Sequence, residues 1–203
     1  MKKYELTEET VTVYGKTLYR IRAVRDFGSV KTGEFGGYIE KEENLSHFGN
    51  AWVSGNAWVF DNARVYDNAW VFGNAWVFNN ARVYDNAWVY DDAWVCGDAK
   101  VYGDAWVCGD AKVYGDAWVS GNAEVFNTRH FFVQGPIGSR NGFITFYRTK
   151  DNTVEVRCGC FSGSLQKFVD RVEETHGGSR YEKEYKLAAE LAKVCIRLEG
   201  ESR

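Results

Sequence analysis

Valine recurs at every sixth position through the middle of the chain, from Val53 to Val125, in thirteen unbroken copies. An alanine lies two residues before each of these valines, and Gly, Asp or Asn follows two or three residues after nearly all of them. Ala-x-Val predicts a short strand whose Ala and Val face one side while the middle residue faces the other. Gly, Asp and Asn tolerate left-handed backbone angles and predict turns. So strict a short period indicates a solenoid.

This pattern resembles the hexapeptide-repeat left-handed β-helix family over residues 45–126. The resemblance implies a mainly β fold, in which three hexapeptides form a triangular coil with aliphatic residues inside. We expect an N-terminal β cap (1–44), the left-handed parallel β-helix (45–126) and a C-terminal α+β domain (127–203). The cap is predicted as a hairpin turning at Gly15-Lys16. His47 falls in the register of the interior valines, which favours a buried cap residue over a catalytic base.

A coil of eighteen residues would stack positions that are eighteen apart. The position before each valine then forms three outward columns: Trp52, Trp70, Trp88, Trp106 and Glu124; Trp58, Trp76, Trp94 and Lys112; and Arg64, Arg82, Lys100 and Trp118. Two faces of the prism are therefore aromatic, and the third is cationic and rich in tyrosine.

Large exposed aromatic surfaces usually mark an interface, and the resemblance implies a trimer. We predict a homotrimer with these interface residues: Trp52, Trp58, Trp70, Trp76, Trp88, Trp94, Trp106, Phe60, Phe72 and Phe78. The alternative is that the aromatic rings cover one another as stacked ladders along the solenoid, and both arrangements can operate together.

The turn position changes from Asn in the early copies, such as Asn56, to Asp in the later ones, such as Asp98. Asn side chains can form ladders at the strand spacing of about 4.8 Å. A column of Asp could hold calcium, but solvated turn carboxylates are the simpler interpretation. We expect no metal site and no cofactor.

The C-terminal segment predicts strands with a Lys150–Asn152 hairpin turn, followed by two helices. Ser162-Gly-Ser164 predicts the cap of the first helix, which ends at His176-Gly177-Gly178. The second helix is expected to bury a stripe of apolar residues: Tyr181, Tyr185, Ala188, Leu191 and Cys195. Val154, Val156, Cys158 and Cys160 are expected to share the apolar side of one strand, rather than to form a metal site.

The loop Gly138-Ser139-Arg140-Asn141 is the most suggestive stretch outside the repeat. Its backbone N–H groups, hydroxyl and guanidinium could bind an anion or a nucleotide, and we expect His176 to join the same ligand site. A tight connection between two strands is the alternative, and the two interpretations carry similar weight. The Lys-Ser/Thr pair and the spacing of a P-loop are absent.

Composition narrows the classes of function. A net charge of −3 over 203 residues does not favour a nucleic-acid binder. The sequence has no long apolar run for a membrane span, and its acidic start does not predict a signal peptide. Five cysteines, an odd number, indicate reduced thiols in a cytosol.

Many proteins of the hexapeptide family transfer acyl groups from CoA or acyl carrier protein with a His base. This chain departs from that pattern, because its thirteen copies contain no His and no interrupting loop. The chain also resembles prophage proteins in phrases such as YRIRAVRDF and GPIGSRN, which implies a bacterial cytosol. We predict a non-catalytic, trimeric protein whose C-terminal domain binds a host component or a small anionic or nucleotide-like ligand, with action against host defence as one option. The alternatives are a divergent acyltransferase and a structural spacer.

Overall fold

The structure, a computed structural model, describes residues 2–199. It opens with an antiparallel hairpin of β1 (Tyr4–Val13) and β2 (Lys16–Ala23), whose turn is Tyr14-Gly15. Strand β3 (Phe35–Ile39) pairs with β2 in antiparallel fashion and is followed by a 3-10 turn at Glu42–Asn44. The predicted terminal hairpin is thereby confirmed, with its turn one residue earlier than expected, because Lys16 already belongs to β2.

Thirteen two-residue strands follow, each made of one outward residue and the repeating valine. They are β4 (Trp52–Val53), β5 (Trp58–Val59), β6 (Arg64–Val65), β7 (Trp70–Val71), β8 (Trp76–Val77), β9 (Arg82–Val83), β10 (Trp88–Val89), β11 (Trp94–Val95), β12 (Lys100–Val101), β13 (Trp106–Val107), β14 (Lys112–Val113), β15 (Trp118–Val119) and β16 (Glu124–Val125).

These strands form a parallel β-solenoid with three faces and a pairing offset of eighteen residues, so that Trp88 lies beside both Trp70 and Trp106. Face one contains β4, β7, β10, β13 and β16; face two contains β5, β8, β11 and β14; face three contains β6, β9, β12 and β15. Face two also continues through β3 into the hairpin. The three outward columns expected from the sequence are confirmed.

The interior of the solenoid consists of the repeating alanines and valines, none of which is more than 1% exposed. Outside, the turn Asn side chains form ladders between coils. Asn50 donates to Asn68 (3.1 Å), Asn68 to Asn86 (3.3 Å), and Asn86 to Asp104 (3.1 Å). Each Asn supplies both a donor and an acceptor, and the ladder ends on an Asp, which only accepts.

The first coil is two residues longer than the others, because Leu45 pairs with Val65 and Ile39 pairs with Val59. The expectation that His47 occupies the valine register is therefore wrong, since Leu45 takes that position. His47 lies in the lengthened corner instead, stacked on Tyr4 with ring centroids 4.3 Å apart.

The N-terminal segment buries part of the aromatic surface. Trp52 is fully buried, with Phe27 and Tyr4 at its edges. Phe60 is 2% exposed and packs with Val13, Leu18 and other residues of the hairpin region. The expectation that Trp52 and Phe60 are available to a partner subunit is wrong, because the chain's own cap covers them.

The C-terminal part contains an antiparallel sheet and two helices. The sheet runs in the order β17 (Phe131–Ile137), β18 (Gly142–Arg148), β19 (Val154–Cys158) and β20 (Phe161–Ser164). The helices α1 (Leu165–His176) and α2 (Arg180–Cys195) follow. Ser164 caps α1 as expected, by accepting a hydrogen bond from the Lys167 N–H.

Two details of this part differ from the expectation. The buried row of α2 consists of Tyr185, Ala188, Ala189 and Ala192, while Leu191 is 47% exposed. The small alanines allow α2 to pack closely, so the buried stripe is rotated away from Leu191. Val156 is fully buried and Cys158 half-buried, but Cys160 is exposed, because the strand ends at Cys158 and Cys160 lies in the turn before β20.

Strand β18 closes the open end of the last coil. Thr145 Oγ1 accepts a hydrogen bond from the Trp118 N–H (3.0 Å), and Thr149 bridges to Ala123. The buried Arg148 guanidinium bonds to the Glu124 carboxylate at 2.9 Å. These contacts fix the sheet against the solenoid and bring residues of both into one cleft.

Candidate functional site

Two hairpin turns lie at the same end of the C-terminal sheet: residues 138–141 between β17 and β18, and Gly159-Cys160 between β19 and β20. The Gly138 N–H donates to Glu184 Oε2 at 2.7 Å. A Cβ at Gly138 would lie 1.9 Å from the Tyr185 hydroxyl oxygen. Gly138 therefore docks the turn on α2, and its N–H already has an acceptor within the protein.

A cleft of about 990 Å³ opens beside these turns. Ser139, Arg140 and His176 line it, whereas Gly138 and Asn141 are not among its lining residues. The structure therefore brings three of the five residues expected to bind a ligand into one cleft. Gly138 supports the turn, and Asn141 adopts a left-handed backbone conformation with φ 46° in an exposed position.

Three further cationic residues line the same cleft: Arg157, Lys167 and Arg171. Arg171 pairs with Glu174 at 2.8 Å. Within residues 2–199, Arg140, Arg157 and Lys167 have no carboxylate within ion-pairing distance. Asp116, from a turn of the solenoid, also lines the cleft. The lining is therefore rich in unpaired positive charge, although the chain as a whole is acidic.

Arg157 is half-buried on the side of the sheet that packs against the solenoid. Its guanidinium carbon lies 5.5 Å from the centre of the Tyr102 ring and 5.8 Å from that of Trp118. Its buried Nε has no hydrogen-bond partner within the described chain. The aromatic rings stabilise the charge of the guanidinium at the edge of the cleft.

Aromatic surface lies beside these charges. Phe143 is 41% exposed and lines the cleft. A Cβ on Gly135 would come within 2.5 Å of the Phe143 ring, so the ring lies directly against the β17 backbone. Such a ring, held from one side, can stack with a planar group.

The cleft contains His176 and Cys158 as potential reactive groups. The His176 ring lies 5.6 Å from Tyr185 and 6.0 Å from Tyr181, between ring centroids. Burial raises the pKa of the Cys158 thiol. The thiol therefore stays protonated near neutral pH, where it is a poor nucleophile.

Most of the remaining aromatic residues expected at an interface form ladders along the solenoid, while Trp70 packs against the core cluster. Trp76 stacks on Trp58 at 4.5 Å and on Trp94 at 4.8 Å, measured between ring centroids. On face one, Phe72 stacks on Tyr90 and Trp88 on Trp106. The stacked-ladder arrangement is therefore present, while Trp88 is still 40% exposed.

Apart from Trp52 and Phe60, every residue of the predicted interface is partly exposed: Trp58, Trp70, Trp76, Trp88, Trp94, Trp106, Phe72 and Phe78.

Within residues 2–199, no group of three or more His, Cys, Asp or Glu side chains is arranged to hold a metal ion. Neither helix of that range combines the length and the hydrophobicity that a membrane-spanning helix requires.

The signals for Arg157, Lys167 and Arg171 were present in the sequence. Lys167 and Arg171 are four residues apart and lie on one side of the predicted helix. Arg157 alternates with the inward Val156 and Cys158, so it faces the other side of its sheet. Their convergence with the 138–141 turn depends on how the sheet docks on the last coil.

Comparison with protein families supports the solenoid. Residues 63–79 and 81–97 match the model of the YdcK beta solenoid repeat. The match covers two stretches of the coils and no residue of the C-terminal part. A comparison with curated proteins gives no match. The chain therefore has the repeats of a β-solenoid family, and the cleft has to be interpreted from its own chemistry.

Proposed function

We propose that this protein is a non-catalytic binding protein, and that the cleft at the end of the C-terminal sheet recognises a small anionic, nucleotide-like ligand. The observation that carries the proposal is the convergence of Arg140, Arg157 and Lys167 on one cleft, without carboxylate partners among residues 2–199. Phosphate oxygens are strong acceptors for guanidinium and ammonium groups. The exposed Phe143 ring supplies a surface for a base.

The proposal extends to the assembly and the setting of the protein. The partly exposed Trp ladders support a homotrimer, because contiguous aromatic surface of this kind is usually covered. The eighteen-residue coil supports a place among left-handed hexapeptide β-helices. The resemblance to prophage proteins supports a role in the bacterial cytosol, where the ligand could be a host component or a defence signal.

A divergent acyltransferase is the second candidate function, because His176 lines the same cleft. An imidazole there could act as the general base toward an acceptor hydroxyl or amine. The two functions separate cleanly, since a binding protein leaves acetyl-CoA intact. Turnover of acetyl-CoA by the purified protein, abolished by His176→Ala, would contradict the non-catalytic proposal.

Thermal unfolding in the presence of phosphate, AMP or CoA tests the proposal. A ligand at one hundred times its Kd stabilises the folded state by about 2.7 kcal/mol. We expect a rise in Tm with at least one of these probes, and loss of that rise in Arg140→Ala. Arg82→Ala is the matched control, because Arg82 is exposed on face three, away from the cleft. Equal responses of both variants would contradict the proposed site.

A further inference from the structure

The outer row of α1 runs along the cleft. Lys167, Arg171 and Thr175 are spaced four residues apart, and all three line the cleft. The row spans eight residues, which is about 12 Å of helix. Beside it lies the inner row, Phe168, Val172 and His176, of which Phe168 and Val172 pack on the sheet. The cleft is therefore elongated along the axis of the helix.

Positive charge is present at both ends of this cleft. Lys167 lies at the end near β20, where its Cδ would be 4.0 Å from a Cβ on Gly163. The turn that contains Arg140 lies at the other end, since Gly138 contacts Tyr185, whose ring is 5.6 Å from that of His176. Arg171 lies between the two ends.

The oxygens of a single phosphate accept hydrogen bonds only from donor atoms that lie about 3 Å away. One phosphate can therefore contact both Lys167 and Arg140 only if these two long side chains converge on it against the repulsion between their positive charges. A ligand with two or more separated phosphates can instead place one phosphate beside each cationic side chain, without requiring Lys167 and Arg140 to converge. The Phe143 ring favours a ligand that also carries a planar base over a purely acidic chain, because bases stack on aromatic rings.

We infer that the cleft is built for a phosphorylated dinucleotide, that is, two linked nucleosides that carry two or more separated phosphates. The inference rests on the proposed function, because it specifies the class of ligand for the same site. Arg140 and Lys167 each hold a different phosphate, and Phe143 stacks with a base.

Calorimetric titration of the full chain with AMP, pyrophosphate and a 5′-phosphorylated adenine dinucleotide, at one salt concentration, tests this inference. We expect the dinucleotide to bind at least about 10-fold more tightly than AMP, since it adds charge-assisted hydrogen bonds. Arg140→Ala and Lys167→Ala should each remove most of that advantage, and Arg82→Ala should not. Phe143→Ala should weaken binding of both nucleotides and leave pyrophosphate unchanged.

The outcomes separate the two proposals. If AMP binds and responds to Arg140→Ala, but the dinucleotide binds no more tightly, the dinucleotide inference is wrong and the anion-binding function stands. If Arg140→Ala and Lys167→Ala weaken AMP and the dinucleotide equally, a single phosphate contacts both ends, and the inference is again wrong. If none of the three probes binds the unmodified protein, the proposed function fails as well. All four substituted side chains are exposed, so folding should survive each change.

Discussion

The indole of Trp52 packs edge-on against Phe27, with ring centroids 5.3 Å apart, and is completely buried although it occupies the same outward column as the exposed Trp88. Two residues with the same repeat position therefore have different roles. Trp52 joins the cap to the first coil, whereas Trp88 belongs to the surface.

Trp52→Ala should destabilise the protein by about 3–5 kcal/mol, as expected for the loss of a large buried aromatic side chain. Trp88→Ala is the control, since the same substitution at an exposed rung of the ladder should cost far less. Urea unfolding followed by tryptophan fluorescence measures both. Equal losses of unfolding free energy in the two variants would mean that burial of Trp52 by the cap contributes no more stability than an exposed position of the ladder.

Gly49→Ala should be more damaging than Gly115→Ala. Both glycines have positive φ, at 66° and 67°, so both substitutions force alanine into the left-handed region, at about 1–2 kcal/mol. A Cβ at Gly49 would also lie 2.2 Å from the Asp67 carbonyl oxygen, while one at Gly115 meets nothing within 4 Å. The difference between the two unfolding free energies isolates this clash, and a difference of zero would contradict it.

Trp76→Glu should dissociate the proposed trimer, because a charge would then be desolvated at the centre of the ladder on face two. Sedimentation equilibrium should show the mass falling from three chains to one. Arg82→Glu, on face three, should leave the trimer intact. A monomeric unmodified protein at micromolar concentration would contradict the trimer itself.

Lys3 should make stability depend on pH above neutrality. Burial, and then the nearby Arg25 charge, lower the pKa of Lys3 from 10.5 to about 8. The unfolded chain therefore binds one more proton than the folded chain between these values, so the free energy of unfolding should rise with pH in that window. We expect the stability of the unmodified protein to rise relative to Lys3→Met between pH 8 and pH 10. Urea unfolding of both proteins at each pH measures the difference, in which the titration of tyrosines cancels. A flat difference would contradict the lowered pKa.

The ion pair between the buried Arg148 and Glu124 should matter more than the second pair of Arg148, with Glu199. The Glu124 side chain is 16% exposed and that of Glu199 is 71% exposed. Glu124→Gln should cost up to about 3 kcal/mol, because it leaves a buried guanidinium with only the exposed carboxylate of Glu199 as its charge partner. Glu199→Gln should cost less than about 1 kcal/mol. Chemical unfolding of the two variants provides the comparison, and the reverse order would contradict it.

The solenoid could be predicted from the sequence because its order is one-dimensional. Each Ala-x-Val unit specifies its own strand, and the period specifies which columns stack. The expectations for Trp52, Phe60 and His47 failed because these residues lie next to the N-terminal cap, where the regular repeat begins. The hairpin covers two of these side chains, and the two additional residues of the first coil displace the third.

The cleft was only partly predictable. Ser139, Arg140 and His176 lie in it as the sequence suggested they could, but Arg157, Lys167 and Trp118 come from three different elements. Hydrogen bonds such as that between Trp118 and Thr145 bring them together. No local pattern encodes that docking, because it depends on the complementary shapes of the sheet and the last coil.

The eighteen-residue pairing offset also limits how this chain can change in length. Insertion or deletion of one whole coil would keep every column in phase and move the cleft along the axis by one strand spacing, about 4.8 Å, without turning it. A change of a single hexapeptide would instead rotate everything beyond it by a third of a revolution and place Arg over Trp. The coil, rather than the hexapeptide, is therefore the unit whose insertion or deletion preserves the relative orientation of the N-terminal cap and the C-terminal sheet.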